Sequence, residues 1–229
     1  MSVYAIADLH LSLGTNKPMD VFAGWTDYVE RLEKNWRCLV APEDAVVVAG
    51  DISWGMSLEE AKRDFDFLHS LPGQKYLLKG NHDYWWTTKK KMDAFFEDHH
   101  WDTLHILHNN AYVVNDRYAA CGTRGWFYDA EADADKKVLL REVGRLRTSI
   151  EAARALNREP LVFLHYPPLY ADAVCGEIWE ELHAQGITRC YYGHIHGAGI
   201  KRAVRTPAEG ISLHLISCDA VRFTPVHIP

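Results

Sequence analysis

The stretch Tyr76-Leu77-Leu78-Lys79-Gly80-Asn81-His82-Asp83-Tyr84-Trp85-Trp86 decides how the rest of the chain is read. Its apolar run, Tyr76 to Leu78, has the length of a buried strand and stops at Gly80. An amide, an imidazole and a carboxylate follow without a spacer: Asn81, His82 and Asp83. Side chains on a regular strand alternate faces, so three in a row converge only where the chain turns sharply. Gly80 permits that turn. Alone, the stretch reads two ways: as a polar turn before a helix with Asp83 as N-cap, or as a turn that gathers polar groups at one point. Four other strand ends repeat the arrangement and favour the second reading.

Working outward, Val3–Ala7 reads as a first strand ending in Asp8-Leu9-His10, and the β-branched run Ala45–Ala49 as a second ending in Gly50-Asp51. Leu161–Leu164 ends at His165, with Pro167-Pro168 blocking an immediate helix. Cys190–Tyr192 leads into Gly193-His194-Ile195-His196. Between these runs, apolar residues recur at helical spacing over about 19–39, 87–99, 135–156 and 175–185, and Ser57-Leu58-Glu59-Glu60 carries a capping-box pattern. Tyr112–Val114 and Ala119–Cys121 read as a hairpin, and 199–205 with 211–217 as an antiparallel pair. Early strands alternating with helices imply a parallel sheet, and the late hairpins a second, more antiparallel one. The expected class is therefore α/β (α+β), and with no repeat or linker in sight we expect a single domain over 1–229. Ligand sites in such sheets lie beyond the carboxyl ends of strands, where all the polar groups above fall.

The bulk numbers exclude some function classes. Of 229 residues, 48% are hydrophobic and 24% charged, ordinary for a globular domain with a sizeable core. A net charge of −6 and the lack of a basic stripe argue against capture of long nucleic acid or an anionic membrane. No apolar run approaches the roughly 20 residues needed to span a bilayer. The start of the chain enters a strand at once, without the basic and apolar regions of a signal peptide. Five scattered cysteines (Cys38, Cys121, Cys175, Cys190, Cys218) form no CxxC pair and fit reduced thiols. A cytoplasmic location is the expectation.

Asp8-x-His10 and His194-x-His196 each put two side chains on the same side of an extended chain. Either alone would read as structural; Asp51 alone could cap a turn, and His165 could be a satisfied core histidine. Their joint occurrence is hard to explain that way, because apolar strands have little reason to end repeatedly in unpaired polar groups. Oxygen and imidazole donors without thiolate suit Mn²⁺, Fe, Zn²⁺ or Mg²⁺. Seven such residues exceed the need of one ion, and two ions sharing a carboxylate would use them all.

In their order along the chain, Asp8-Leu9-His10, Gly50-Asp51, Gly80-Asn81-His82-Asp83, His165 and Gly193-His194-Ile195-His196 resemble the motifs of the calcineurin-like metallophosphoesterase superfamily. The resemblance implies a two-sheet β-sandwich flanked by helices. It implies one metal ion held by Asp8, His10 and His196, a second by Asn81, His165 and His194, and Asp51 between them. It places His82 near the leaving-group oxygen, oriented by Asp83. The protein Ser/Thr phosphatases of that superfamily carry Asp-Arg-Gly soon after the bridging Asp and Gly-Asn-His-Glu at the third motif. Here Ile52-Ser53-Trp54-Gly55 follows Asp51 and the third motif ends in Asp83, so the arginine that would hold a phosphoprotein's phosphate is missing.

The expected activity is thus hydrolysis of a small phosphate monoester or phosphodiester by a metal-bridging hydroxide, dependent on two divalent ions, with His82 as proton donor. The rivals are a metal-binding scaffold without turnover and, within the same class, a nuclease or protein phosphatase. Trp54, Tyr84, Trp85 and Trp86 flank the motifs, with Trp126 more distant; each reads either as packing or as a wall favouring a flat leaving group such as a nucleoside. Arg124, in Gly122-Thr123-Arg124-Gly125-Trp126, is a secondary candidate for a phosphate contact. Lys89-Lys90-Lys91 reads as the solvated face of a helix.

Overall fold

A computed structural model describes residues 1–126 and 132–229. β1 (Val3–Ile6), β2 (Ala45–Ala49), β3 (Gln74–Leu78) and β4 (Leu104–Ile106) lie parallel in one sheet, with the closing strand β13 (Val226–Ile228) antiparallel beside β1. The helices α1 (Tyr28–Leu39), α2 (Lys62–Ser70) and α3 (Lys89–Asp98) alternate with these strands. The second sheet holds β6 (Tyr118–Thr123), β7 (Glu159–Leu164), β10 (Arg189–Tyr192) and β12 (Ile211–Leu215), all parallel, with β5 (Tyr112–Val113) and β11 (Pro207–Ala208) as antiparallel edges. Its helices are α4 (Asp133–Ala155) and α5 (Gly176–Ala184), and a small ribbon pairs β8 (Leu169–Tyr170) with β9 (Ala173–Val174).

Period-two alternation explains the layering. Val3, Ala5, Val47, Tyr76 and Leu78 face the second sheet, where Tyr118, Ala120, Leu161, Phe163 and Tyr191 meet them. The intervening Ile6, Val46, Val48 and Leu77 face outward onto Leu32 and Trp36 of α1, Phe65 of α2 and Met92 of α3. On the far side, Val162, Leu164, Cys190 and Tyr192 pack under Leu146 and Ile150 of α4 and Leu182 of α5. Strands buried on both faces read as continuous apolar runs, which is why β2 shows no polar interruption. The result is two mixed sheets, face to face, flanked by helices.

Three details differ from the sequence expectation. The helix expected from about Met19 begins at Tyr28: residues 19–27 form turns, Gly24 and Asp27 take positive φ (88° and 51°), and Val21 and Phe22 are exposed. Their helical spacing marks no buried face. Residues 197–202 form a 3₁₀ helix rather than a strand. The second sheet is mainly parallel, because β12 pairs with β10 and meets only a two-residue antiparallel edge. The alternating burial of Ile211, Leu213 and Leu215 reports a half-exposed strand but not the direction of its neighbour.

Candidate metal centre

The sheets meet at the end of β1, where Ala7 N donates to Ile216 O at 2.8 Å and Cys218 N to Ala7 O at 3.0 Å. Asp8 and His10 follow β1, Asp51 follows β2, Asn81 follows β3, His165 follows β7, and His194 and His196 follow β10. Backbone geometry gathers them. Asp8, His10, Asp51 and His194 all sit at positive φ (62°, 47°, 52° and 71°), a region non-glycine residues rarely adopt. Hydrogen bonds hold them there: Asp8 N donates to Gly50 O and His10 N to Asp51 O, both at 2.9 Å, while His194 N donates to the Asp8 carboxylate at 2.9 Å. Strain of this kind persists only where surrounding structure enforces it. Gly80 and Gly193 are needed for close approach: a Cβ on Gly80 would stand 2.1 Å from Asp51 Oδ1, and one on Gly193 2.6 Å from Asp8 Oδ2.

Two donor groups result. Asp8, His10 and His196 present ligand-type atoms within 4.8 Å of one another, and so do Asp51, His165 and His194. Asn81 joins the second, its Oδ1 lying 2.7 Å from His165 Nε2 and 2.9 Å from His194 Nδ1. Asp51 reaches both: its Oδ2 is 3.5 Å from His165 Nε2 and 3.8 Å from His10 Nε2. The seven residues singled out from the sequence therefore converge. The chemistry of the set fits two divalent cations. Imidazole nitrogens face one another, as where Nε2 of buried His10 and of partly exposed His196 stand 3.4 Å apart, and Asp8 and Asp51 are buried with no lysine or arginine paired to either among the described residues.

Electrostatics agree with that fit. Burial pushes the Asp8 carboxyl up, but His196, then His165 and His10, overcome it and hold the group well below the usual carboxylate range. Burial, reinforced by the Asp8 charge, raises Asp51 to about 8. Burial lowers His10 and His194 to about 3, so both are neutral donors at ordinary pH. Burial would also lower His196, yet Asp8 and Asp219 raise it to about 10. Both upward shifts, on Asp51 and on His196, report a surplus of negative charge that bound cations would offset.

The surrounding residues divide in unexpected ways. His82 lies outside both groups, its ring 5.7 Å from His10 and 4.6 Å from Trp54, with Tyr84 Oη 3.4 Å from its Nδ1. Asp83 does not stand behind it. The carboxylate accepts from Ile52 N (2.8 Å), Ser53 N (3.3 Å) and Trp85 Nε1 (3.0 Å) at Oδ1, and from Gly80 N (2.7 Å) and Asp51 N (3.0 Å) at Oδ2. Asp83 ties the β2 and β3 loops together, which corrects the expectation that it orients His82. Trp85 is likewise core, 2% exposed and edge-on to Phe65, correcting its reading as a substrate wall. Trp54 stacks on His10 at 5.0 Å, and Tyr84 is half exposed. Arg124 faces Glu142 at 3.7 Å, and its carbonyl accepts from His165 N and Tyr166 N.

Two residues went unread in the sequence. Asp219 Oδ1 lies 3.0 Å from His196 Nδ1, and its Oδ2 accepts from Gly197 N at 2.8 Å, fixing the imidazole as outer carboxylates fix metal-bound histidines. Trp25 closes the same side, 5.8 Å from the rings of both His10 and His196. No local pattern marks Asp219, which lies four residues beyond the end of β12.

None of the curated proteins compared with the chain matches it. Among solved structures, the fold resembles a protein of unknown function from Aquifex aeolicus (14% identity, covering 99% of this chain and 95% of the other, TM-score 0.54). It also resembles the phosphopantetheinyl hydrolase of Mycobacterium tuberculosis (16%, 99% and 95%, 0.53) and the protein TT1561 of Thermus thermophilus (12%, 95% and 89%, 0.58). At such identities the likeness speaks for the fold alone. The family model for calcineurin-like phosphoesterases matches residues 1–198, every proposed ligand among them, and the chain belongs to that family.

Proposed function

We propose that the chain is a single-domain, dinuclear metal-dependent phosphoesterase acting on a small phosphate monoester or phosphodiester. The observation that carries this is Asp51: one buried carboxylate lies between two separate groups of imidazoles and carboxylates. Two bound divalent cations, Mn²⁺, Fe, Zn²⁺ or Mg²⁺, would supply Lewis-acid charge and an activated water for an in-line displacement. Asp8, His10 and His196 would hold one, Asn81, His165 and His194 the other, and Asp51 both.

The chain's own residues supply the rest. His82 occupies the rim without belonging to either donor group, and Tyr84 covers its Nδ1. That leaves Nε2 to donate a proton to the departing oxygen. Burial, then His165, hold His82 below the usual imidazole range, so it enters the reaction largely neutral, and the incoming anionic ester draws a proton to it. Trp54, stacked on His10 and tilted at 46° to His82, offers an aromatic surface for a flat leaving group such as a nucleobase. No helix among the described residues is long and apolar enough to cross a membrane. The five free cysteines, four of them buried, support a reducing compartment, the cytoplasm.

The test is a panel of phosphomonoesters and phosphodiesters, p-nitrophenyl phosphate and bis(p-nitrophenyl) phosphate among them, assayed with each of the four metals and with chelator. Metal-dependent turnover of at least one class is expected. Metal binding without turnover of any ester would leave a scaffold and overturn the enzymatic reading.

A further inference from the structure

One cluster of charge beside the centre has no part in the account above. Lys79, Arg124 and Arg145 come from the end of β3, the end of β6 and the body of α4. The charges that face Lys79 are Arg124, Asp83, Glu142 and Arg145. Neither carboxylate is free to balance the three cations. Glu142 is fully buried and already takes the Thr123 hydroxyl and Arg145 Nη1, with Arg124 Nη2 at 3.7 Å. Asp83 has both oxygens occupied by N–H donors.

Donor capacity is left over on Lys79 and on Arg124. Lys79 is half-buried with no hydrogen bond or ion pair among the described residues, and Arg124 Nε is buried without an acceptor there. Partly buried, incompletely paired cations destabilise a fold unless an anion joins them. A cleft of about 400 Å³ opens over the cluster, lined by Lys79, Trp86, Thr87, Thr88, His108 and Arg145. Arg124 lies on the other side of Lys79, in a narrow gap that Lys79 and Arg145 share with Glu142. Lys79 is two residues before Asn81, and the Arg124 carbonyl accepts the His165 and Tyr166 N–H groups at 3.1 and 2.8 Å. The cleft is thus tied through Lys79 and Arg124 to the turns that carry Asn81 and His165, in a chain whose net charge is −6.

We propose that this cleft binds a second phosphate of the substrate, so that the ester hydrolysed is a small molecule carrying two phosphate groups. The proposal rests on the phosphoesterase reading for what occupies the metal centre. A phosphate in the cleft meets Lys79 and Arg145 as charged donors and the Thr87 and Thr88 hydroxyls as neutral ones, with Trp86 as an apolar part of the wall.

The test is calorimetric binding, to Mn²⁺-loaded protein, of alkylene bisphosphonates of increasing length beside alkyl monophosphonates of matched length. At the length that spans the two sites, the bisphosphonate is expected to bind about 10- to 100-fold tighter, the worth of one or two charge-assisted hydrogen bonds. A second phosphonate could instead reach the second ion, so the deciding variant is Lys79→Gln. Lys79→Gln should remove most of the preference and Lys79→Arg should keep it. No preference at any length, or an undiminished preference in Lys79→Gln, overturns the proposal. Absence of turnover across the ester panel with the preference intact would instead overturn the phosphoesterase reading and leave the subsite standing.

Discussion

Replacing Asp83 by Asn separates a structural from a catalytic reading of the third motif. The Asp83 carboxylate is 1% exposed and accepts five N–H groups, three at Oδ1 and two at Oδ2. An amide accepts through one atom only. In its less harmful orientation Asn keeps the acceptor for Ile52, Ser53 and Trp85 and turns an NH₂ toward the N–H groups of Asp51 and Gly80. Two buried donors then lose their partners, at about 1–3 kcal/mol each. The expected loss is about 2–6 kcal/mol, large against the ~5–15 kcal/mol that separates folded from unfolded chains. Because those N–H groups belong to the turns carrying Asp51 and Asn81, ion occupancy should fall with it. The assay is urea unfolding of the metal-free and metal-loaded forms, with elemental analysis of both variants. Stability within ~0.5 kcal/mol of the parent, two ions retained and a rate loss equal to that of His82→Ala would refute this reasoning and restore Asp83 as the orienter of His82.

Other outcomes follow from the same geometry. His82→Ala should keep its ions and lose roughly 10²–10⁴ in rate on poor leaving groups but much less on p-nitrophenyl esters; equal losses on both would mean phosphate binding instead. Asp219→Asn should weaken one of the two metal sites by about 10–100-fold in direct metal titration while leaving the other unchanged; undisturbed affinity at both would make the contact incidental. At pH 7 the metal-free chain holds protons on His196, raised to about 10, and Asp51, raised to about 8, whereas His10 and His194, lowered to about 3, hold none. Binding the ions should therefore release about two protons per chain and tighten as pH rises toward 10, measured by calorimetry in buffers of different ionisation enthalpy; heats independent of buffer would contradict it.

The site was far more legible in the sequence than its support. Each proposed ligand lies within four residues of the end of a buried strand, so a local pattern, apolar run then polar group, was enough to single out all seven. Asp83 shows the limit: adjacency in sequence put it with His82, but the sharp turn sends its carboxylate back under residues 51–53, and only the folded loop reveals five donors there. Trp85, open in the sequence between packing and a substrate wall, proves to be packing for the same reason. Asp219 lies beyond the matched 1–198 region and acts through His196 across more than twenty residues, a pairing no spacing rule encodes. Strand existence was likewise read correctly where burial is two-sided, while the parallel pairing of β12 depended on which neighbour it met.

The most direct test of the central claim is the metal content of the active enzyme. The protein, stripped and then titrated with Mn²⁺, should take up two ions per chain, with activity appearing only as the second is filled, and Asp51→Asn should weaken both sites together. Full activity at one ion per chain, or an Asp51→Asn variant that loses one ion and keeps the other at parental affinity, would contradict it.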